Sequence, residues 1–223
     1  MAKMLWKPTE ERIKKSNMYR FMNFVNMRHK KKFTEYGPLY QWSVDHIPEF
    51  WSAMWEFADI KASRPYDRVV DDATKMPRTK WFSGARLNFA ENLLRYRDDH
   101  VAIIFQGEDR ETRKISYSEL YDEVARLAKS LKEMGLQAGD RVVGFMPNMP
   151  ETICAMLAAT SIGATWSSCS PDFGSKGVLD RFGQIRPKVL FTANGYWFKG
   201  KSLDSIERIS NILKELPSIE KVV

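Results

Sequence analysis

The sequence predicts an α/β protein with a mostly parallel sheet and helices on both faces, preceded by an aromatic-rich helical extension. Two observations carry this prediction. From Val101 onward, short apolar runs typical of strands alternate with amphipathic runs of helical length, and this alternation indicates βαβ units. Residues 1–60 instead combine helical spacing with many aromatic side chains. The predicted domains are therefore a helical extension over 1–95 and an α/β subdomain over 96–223.

The clearest helix of the extension is SVDHIPEFWSAMWEFADI. Ser43 or Asp45 is its predicted N-cap, because a short polar side chain can accept a hydrogen bond from the first helical turn. Helical spacing also places five apolar side chains on one face. These are Phe50, Trp51, Met54, Trp55 and Ala58. Tryptophans at this spacing indicate a packing face rather than a ligand-binding face.

The first two helices of the α/β part have local start and stop signals. The run SYSE, Ser116 to Glu119, fits a capping box, and Gly135 follows at the position where glycine commonly ends a helix. Pro150 begins PETICAMLAATSIG, and Gly163 follows the end of that helix. The strands around these helices are predicted at VAIIFQ, as a short buried strand, and at GDRVVGFM and ATWSS.

The last part of the chain adds two helices and two strands. One helix ends before Pro187, and Ser170 or Asp172 is its predicted cap. Its apolar positions are Val178, Leu179, Phe182 and Ile185. KVLFTA is the next predicted strand, residues 202–216 form the last helix, and IEKVV begins one more strand.

Basic charge is concentrated at the start of the chain. The formal net charge is +7. Residues 1–32 carry +8 from ten lysines or arginines and two glutamates, so the other 191 residues carry −1. This distribution argues against a nucleic-acid-binding face, which would spread basic residues over a folded surface. We predict a solvated helical face for RHKKK at 28–32, with a nucleic-acid, membrane or targeting segment as the alternatives.

Few residues suggest metal, redox or nucleophilic chemistry. Cys154 and Cys169 have no CxxC spacing and no nearby histidine, so neither a zinc nor a redox motif is present. Cys154 is predicted to be a small apolar core residue. The three histidines are scattered along the chain, which argues against a catalytic triad. No apolar run reaches the roughly 18 residues that a membrane helix needs.

The turn Gly174-Ser175-Lys176-Gly177 is a candidate phosphate-binding loop. A P-loop ends in Gly-Lys-Ser/Thr, and the order here is different. The dinucleotide fingerprint GxGxxG is missing as well. We therefore predict that these glycines permit the start of a helix, whose N-terminus attracts anions only weakly.

Several segments resemble a known family. SYSELYDEVARLAKSLKEMGLQAGDRVVGFMPNMPETICAMLAATSIGA is similar to the opening of the AMP-forming acyl-CoA synthetases, the adenylate-forming ligases. WFSGARLNFAENLL resembles the acetyl-CoA synthetase branch of that superfamily. The resemblance narrows to the acetoacetate–CoA ligase subgroup through LYQWSVDHIPEFWSAMWEF, SSCSPDFGSKGVLDRFGQIRPKVLFT and MLWKPTEERIKKSNMYRFM. It covers nearly the whole chain and implies the N-terminal part of the adenylate-forming ligase fold.

The resemblance implies a two-step reaction. Acetoacetate attacks the α-phosphorus of ATP with Mg²⁺, giving acetoacetyl-AMP and pyrophosphate, and the CoA thiol then displaces AMP. The implied cofactors are ATP, Mg²⁺ and CoA, and the implied partners are small molecules rather than nucleic acid or membrane. The phosphate loop and catalytic lysine of the family are expected after Val223, so we predict no catalytic or metal-binding residue here and no adenylate formation by this stretch alone. A cytoplasmic enzyme of lipid and ketone-body metabolism is also implied.

The resemblance further implies a CoA site at two turns. The family holds the nucleotide end of CoA with glycines after the third strand, where this chain has Pro171-Asp172, and with an Arg-x-Gly-Arg turn after the next strand. At the second place the chain has Phe198-Lys199-Gly200-Lys201. Gly200 and Lys201, with Lys199, are therefore candidates for holding the 3′-phosphate of CoA, with lysine acting as a point charge. A solvated lysine-rich turn is the alternative.

Two further positions and two further functions stay open at this point. Arg181 in LDRF is similar to an arginine of the family and is a CoA candidate, with a structural ion pair to Asp180 or another acid as the alternative. Trp166 lies near a strand end, where an acyl-pocket role and core packing are both open. The alternative functions are a ligase for acetate or propionate, and a non-catalytic CoA- or partner-binding module if the chain ends at Val223.

Overall fold

The computed structural model describes residues 5–108 and 111–223. The chain divides into two compact units, Met1–Leu87 and Asn88–Val223, each with its own core. The functional domains expected from the sequence have a slightly later boundary and stay a prediction.

The bounds of the described elements are as follows. The first unit contains α1 (Glu10–Lys14), α2 (Asn17–His29), α3 (Tyr36–Asp45), α4 (Ile47–Phe57), β1 (Arg68–Val70) and β2 (Trp81–Ser83). The second unit begins with α5 (Phe89–Leu93), β3 (Val101–Phe105), β4 (Arg113–Ser116), α6 (Tyr117–Glu133), β5 (Arg141–Phe145), α7 (Pro150–Ser161) and β6 (Thr165–Cys169). It continues with α8 (Ser175–Ile185), β7 (Val189–Thr192), β8 (Gly195–Phe198), β9 (Lys201–Asp204), α9 (Ile206–Glu215) and β10 (Lys221–Val222).

Aromatic side chains form the core of the first unit, as the helical spacing predicts. The Phe21 ring meets Phe50 and Phe57 edge-on, with ring centroids 5.7 and 5.1 Å apart. Such edge-to-face pairs are favourable beyond the apolar area that they bury. The buried members of the cluster are Phe21, Met22, Val25, Leu39, Trp42 and Ala53.

The segment predicted as one helix around residue 46 is two helices. α3 ends at Asp45 and α4 begins at Ile47, so Ser43 and Asp45 lie inside α3 and neither caps α4. The Ser43 hydroxyl instead donates to the carbonyl of Tyr40 at 2.7 Å. The cap prediction is wrong because a short polar side chain inside a helix can satisfy itself on the preceding turn.

α4 packs through two faces rather than one. Its Phe50 side chain joins the aromatic cluster of α2 and α3. Trp51 and Trp55 point instead to β2, where their ring centroids lie 5.9 Å from Trp81 and 4.7 Å from Phe82. The prediction of a single packing face is therefore wrong, since the β1–β2 pair supplies a second partner.

Most basic side chains at the start of the chain are exposed, as expected for a solvated face. The prediction of a helical face is wrong for residues 30–32, because α2 ends at His29 and Lys30 follows it with a left-handed φ of +51°. Arg28 forms a bidentate pair with Glu56, at 3.1 and 3.0 Å. The hydrogen bond and charge of Glu56 hold the pKa of Arg28 above its usual value. Lys3 of the basic segment and Met4 of the N-terminal motif lie outside the described residues.

The strand at VAIIFQ lies in a hairpin and not inside the parallel sheet. β3 pairs antiparallel with β4. Val101 and Ile104 are 45% and 67% exposed, so the prediction of a buried strand is wrong. A short apolar run does not by itself distinguish a buried strand from a partly exposed one.

The predicted helix signals of α6 and α7 are confirmed. The Ser116 hydroxyl accepts from the Glu119 N–H at 3.2 Å, and the Glu119 carboxylate accepts from the Ser116 N–H at 2.7 Å, which together form the capping box. Gly135 and Gly163 follow α6 and α7 with φ of +86° and +80°. A left-handed glycine at this position lets the chain close the last helical turn. Pro150 is the first residue of α7.

A parallel sheet of order β10-β7-β5-β6 organises the second unit. β5 lies between two parallel neighbours, with Val142 opposite Trp166 of β6 and Val189 of β7. The strands alternate with helices along the chain, so each crossover returns the chain to the same end of the sheet. The mostly parallel α/β arrangement predicted from the sequence is confirmed.

Helices cover both faces of this sheet, because its central strands are apolar on both sides. Val142 belongs to a cluster with α5, α6 and α7, whereas Val143 belongs to a cluster with α8 and α9. Trp166 packs on the first of these clusters, and its ring lies 6.1 Å from that of Phe191. Of the two roles open for Trp166, the structure supports core packing.

The last predicted helix begins later than its sequence pattern indicates. Lys201–Asp204 is strand β9, which pairs antiparallel with β8, and α9 begins at Ile206. The prediction of a helix from residue 202 is therefore wrong at its start. The cause is non-local, because the aromatic strand before the turn offers residues 201–204 a hydrogen-bonding partner.

Asp140 links the residues before β5 to the residue before β7. Its carboxylate accepts from the Gln137 N–H at 3.0 Å and from the Lys188 ammonium at 2.9 Å. These two contacts, the Gln137 hydrogen bond first, hold the pKa of Asp140 below its usual value. A carboxyl whose pKa is lowered on folding stabilises the folded state above its unfolded pKa, and this contribution is lost as the pH falls through the folded pKa.

We therefore expect Asp140→Asn to lower the free energy of unfolding by about 1–3 kcal/mol at pH 7, because it removes a charged acceptor from a nearly buried site. The difference from wild type should shrink as the pH falls below about 4, because the carboxyl takes up a proton in the unfolded chain there while the folded state still holds it ionised. Urea unfolding at pH 7 and at pH 3 measures both quantities. Asp122→Asn, at an exposed position of α6, is the control. A difference that is equal at the two pH values would contradict this account.

The Cys154 thiol is buried in α7, as the sequence predicts. Burial, and after it the hydrogen bond to Glu123 at 3.3 Å, raises the pKa of Cys154 to about 12. Burial also raises the pKa of Cys169. Since the thiolate is the reactive form, we expect neither cysteine to react with a disulfide reagent at pH 8 until the protein unfolds. Mass spectrometry after labelling with and without urea measures this, and rapid labelling of folded Cys154 would contradict it.

Candidate functional site

The carboxyl ends of the parallel strands form one edge of the second unit. In open α/β sheets, ligands bind beyond this edge. A cavity of about 360 Å³ lies there, beside the loops that follow β5 and β7. Its walls are Phe105–Glu108, Arg113, Pro147–Met149, Glu151 and Ala193–Trp197. A second cavity of about 650 Å³ shares Met149, Glu151, Ala193 and Asn194 with the first. The edge is therefore concave where the general rule places ligands.

The charges in the smaller cavity are already paired. Arg113 of β4 donates to Glu151 of α7 at 2.8 Å. The Glu151 carboxylate holds the pKa of Arg113 above its usual value through this hydrogen bond and its charge. Among the described wall residues there is no histidine, cysteine or lysine. The described charged wall residues are thus one arginine and two carboxylates, Glu108 and Glu151, so the cavity is suited to holding a polar ligand.

The loop after β6, residues 170–174, is held against the neighbouring elements by the carbonyl of Pro171. Arg208 of α9 donates to this carbonyl at 2.7 Å, and the Tyr196 hydroxyl of β8 donates to it at 3.4 Å. Pro171 itself is buried. These contacts place the 170–174 loop beside the start of β8 and beside α9.

α8 starts directly after this loop, as predicted, but without the predicted caps. Gly174 is the N-cap, and no side chain accepts from the first turn. The Ser170 hydroxyl donates to Asp172 at 3.3 Å, within the loop. The prediction that Ser170 or Asp172 caps the helix is therefore wrong. The run Gly174–Gly177 starts a helix, and no part of it has P-loop geometry.

Arg181 lies on α8 and stacks on an aromatic ring. Its guanidinium carbon is 4.2 Å from the centroid of Phe173, and it donates to the Gly177 carbonyl at 2.8 Å. Among the described residues, Arg181 forms no ion pair, and the expected partner Asp180 is not bonded to it. A guanidinium placed over a ring without an ion-pair partner keeps N–H groups available to an anion.

The other three predicted residues lie together in the β8–β9 turn. Lys199 and Gly200 are the two turn residues, with φ of +52° and +72°, and Phe198 and Lys201 are the pair that closes it. Two residues with positive φ are typical of a type I′ turn, which matches the twist of a hairpin. The Lys199 ammonium lies 5.1 Å from the Phe198 ring centroid.

Two residues of this site have no signal in the sequence. Glu108 accepts from the Lys199 N–H at 3.1 Å and from the Gly200 N–H at 2.8 Å. Arg208 holds the 170–174 loop. Glu108 lies in a polar loop more than 90 residues before the turn that it contacts, and Arg208 lies in an ordinary amphipathic helix. Only the folded structure brings them to the site.

No metal site or membrane span is found in the part of the chain that the structure describes. In residues 5–108 and 111–223, no three histidine, cysteine or acidic side chains are grouped so that they could hold a metal ion. We therefore assign no residue of this chain to Mg²⁺. None of the helices in those ranges is both long and apolar enough to cross a membrane.

The first unit has a cavity of its own, of about 810 Å³, beside α1, α2 and α3. None of the four residues linked to CoA lines it. Its walls mix apolar side chains such as Ile13 and Met22 with charges of both signs, such as Lys14 and Glu35. Nothing in this arrangement assigns it a ligand.

Comparison with known proteins agrees with the fold and with the motifs. The structure superposes on an acetoacetyl-CoA synthetase from Streptomyces lividans with a TM-score of 0.93 and 40% sequence identity, covering 99% of this chain and 35% of that one. An acetoacetyl-CoA synthetase of Danio rerio is 44% identical over 225 residues, and a malonamoyl-CoA synthetase of Penicillium aethiopicum is 37% identical over 227 residues. The alignments cover 100% and 99% of this chain.

These matches cover nearly all of this chain but only part of each relative. The chain spans about a third of the length of the curated relatives that it matches, 33% for the Danio rerio protein and 31% for the Penicillium aethiopicum protein. Residues 36–93 match a family model described as acetyl-coenzyme A synthetase N-terminus. Residues 89–223 match the model described as AMP-binding enzyme. The resemblance and the fold class inferred from the sequence are thus confirmed, and because the second model covers more than half of the chain, the chain belongs to the AMP-binding enzyme family.

Proposed function

We propose that this chain forms the N-terminal part of an ATP-dependent acid–thiol ligase that converts acetoacetate and CoA to acetoacetyl-CoA. The observation that carries the proposal is the similarity of the whole chain to acetoacetyl-CoA synthetases, at 44% identity to one relative and with a TM-score of 0.93 to a solved structure. The reaction passes through acetoacetyl-AMP and releases AMP and pyrophosphate. Its cofactors are ATP, Mg²⁺ and CoA.

The chemistry explains why such an enzyme needs a nucleotide. A carboxylate is a poor acyl donor, whereas its mixed anhydride with AMP transfers the acyl group readily to a thiol. The charge that develops on the phosphates must be stabilised by fixed positive groups or a metal ion. The resemblance implies that the phosphate loop and the catalytic lysine supply such groups, and both are expected outside this stretch.

Within this chain we propose a binding role for CoA. The candidate residues are Arg181, Lys199, Gly200 and Lys201. Lys199 lies at the tip of the β8–β9 hairpin, and Lys201 is in the residue pair that closes the turn. The 3′-phosphate of CoA is a dianion, and lysine ammonium groups bind phosphate as point charges.

A different short-chain acid is the second candidate substrate. The similarity to a malonamoyl-CoA synthetase shows that relatives with this N-terminal part are named for other acids as well. Acetate and propionate are further candidate substrates, because relatives with this N-terminal part are not all named for one acid. We propose a cytoplasmic enzyme of lipid and ketone-body metabolism whose partners are these small molecules, and the two unpaired, buried cysteines suit a reducing compartment.

The substrate proposal is tested on the protein purified from its own cells. AMP formation is measured with ATP, Mg²⁺, CoA and one acid at a time, namely acetoacetate, malonamate, acetate and propionate. We expect the highest kcat/KM with acetoacetate. A higher kcat/KM with another acid would move the proposal to that substrate, and AMP formation with none of them would favour a non-catalytic binding module.

The CoA site is tested separately by binding. We expect Lys201→Ala to weaken CoA binding roughly tenfold, the size of one lost contact between charged groups, and to leave dephospho-CoA binding unchanged. Lys129→Ala, at a side chain 79% exposed on α6, is the matched control. Equal weakening of both ligands would place the lysine away from the 3′-phosphate. Calorimetric titration of wild type and both variants with both ligands measures these six affinities.

A further inference from the structure

The turn Lys199–Gly200 has a backbone conformation that its first residue disfavours. Lys199 has φ of +52°, in the left-handed region, where residues other than glycine, asparagine and aspartate are uncommon. Type I′ turns prefer asparagine followed by glycine for this reason. A contact from outside the hairpin can offset the free-energy cost of a lysine in this conformation.

Glu108 supplies that contact. Its two carboxylate oxygens accept separately, Oε1 from the Lys199 N–H at 3.1 Å and Oε2 from the Gly200 N–H at 2.8 Å. We call these two hydrogen bonds the clasp. Because Glu108 belongs to the loop that follows β3, the clasp joins two hairpins that are far apart in the sequence. Hydrogen bonds to a charged acceptor are stronger than those between neutral groups.

The clasp also determines how the turn can meet an anion. With Glu108 in place, both turn N–H groups are satisfied and a phosphate cannot use them. The lysine side chains are then the groups that remain. The Lys199 ammonium lies over the Phe198 ring, whereas Lys201 forms no ion pair with any residue that the structure describes.

From this geometry we propose that Glu108 is a positioning residue of the CoA site. It fixes the Lys199–Gly200 turn and thereby holds Lys201 where it can bind the 3′-phosphate. This inference rests on the proposed CoA-binding function of the same turn. Glu108 lies outside the turn and is negatively charged, so its role is to position the lysine and not to bind the phosphate itself.

The first test uses the ligand-free chain. In Glu108→Ala, we expect the amide hydrogens of Lys199 and Gly200 to exchange roughly five- to tenfold faster, because each loses a hydrogen bond to an exposed carboxylate. Glu111→Ala, an exposed glutamate in the same loop, is the matched control and should leave these rates unchanged. Unchanged exchange in Glu108→Ala would overturn the proposal.

The second test measures CoA and dephospho-CoA binding to the same variants. We expect Glu108→Ala to weaken CoA severalfold and dephospho-CoA little, with Glu108→Gln between wild type and Glu108→Ala because an amide oxygen still accepts. Tighter CoA binding would overturn the proposal by showing that the carboxylate competes with phosphate. If wild type binds CoA and dephospho-CoA equally, the CoA site itself is wrong, and the exchange rates still show whether Glu108 fixes the turn.

A compensating variant separates positioning from charge. In the Glu108→Ala background, Lys199→Asn creates an Asn-Gly turn that forms the type I′ conformation without a clasp. We expect Glu108→Ala to cost less CoA affinity in the Lys199→Asn background than in wild type, because the Asn-Gly turn keeps its conformation, while the amides of residues 199 and 200 still exchange fast because no acceptor replaces the carboxylate. An equal loss of CoA affinity in both backgrounds would overturn the positioning role.

Discussion

Phe182→Ala should lower the free energy of unfolding of the second unit by about 3–5 kcal/mol. Phe182 is fully buried on α8, in the cluster where α8 and α9 meet one face of the parallel sheet. Truncation removes the transfer free energy of the ring and leaves a cavity that a close-packed interior refills only in part. Guanidinium unfolding monitored by circular dichroism measures the loss.

The comparison variant for Phe182 is an exposed apolar residue of the same unit. Ile206→Ala, at a side chain 56% exposed at the start of α9, should change stability by less than about 0.5 kcal/mol. A loss of 1 kcal/mol or less for Phe182→Ala would contradict the packing described for this face, since it would mean that the cluster closes around the vacant volume without cost.

Gly144→Ala should destabilise the same unit by about 1–3 kcal/mol, although it adds only one methyl group. Gly144 is in the central strand β5, and a Cβ at this position would lie 2.6 and 2.7 Å from two ring atoms of Trp166 on the neighbouring strand. Real Cβ atoms do not approach other atoms so closely, so the indole must move. The Trp166 ring is itself packed against Phe191.

Two further variants make the Gly144 prediction specific. Gly183→Ala, where the nearest atom to an added Cβ is 3.9 Å away, lies in the interior of α8 and should stabilise by up to about 1 kcal/mol. Trp166→Leu should remove most of the cost of Gly144→Ala, which a double-mutant cycle measures as a coupling energy. Additive effects of Gly144→Ala and Trp166→Leu would mean that the indole is not the obstacle.

Local signals account for the parts of the fold that the sequence predicts well. The capping box at Ser116 and the left-handed glycines Gly135 and Gly163 act within one helical turn, so the residues that decide the structure are neighbours in the chain. The alternation of strands and helices from β5 to β7 is also local in each element. These signals are enough to predict an α/β unit with a parallel sheet.

The wrong predictions concern residues for which more than one hydrogen-bonding or packing partner is available. Residues 202–204 have a helical pattern but pair with β8, because a strand was available across the turn. VAIIFQ has the composition of a buried strand but lies in an exposed hairpin. Ser43 and Ser170 are good caps by type, yet each is bonded within its own segment. In the first two cases pairing with another strand decides the structure, whereas the two serines bond to residues two or three positions away.

The candidate site also contains residues that the sequence predicts and residues that it does not. Lys199, Gly200 and Lys201 are consecutive, so a motif can find them and the structure needs only to place them on a turn. Glu108 and Arg208 act on that site from other elements, at backbone N–H and carbonyl groups. A sequence pattern does not encode which backbone group a distant side chain will reach.

The central position of β5 has a consequence for the folding kinetics. β5 pairs with β6 at a sequence separation of 24 residues and with β7 at a separation of 47, as in Arg141 with Thr165 and Val142 with Val189. Each pairing must close a long loop before any hydrogen bond compensates the lost chain entropy, whereas α6 and α7 form through contacts only a few residues apart. The sheet should therefore form after the helices, in the slow step. The concave edge that we associate with ligand binding then comes into existence only in that last step.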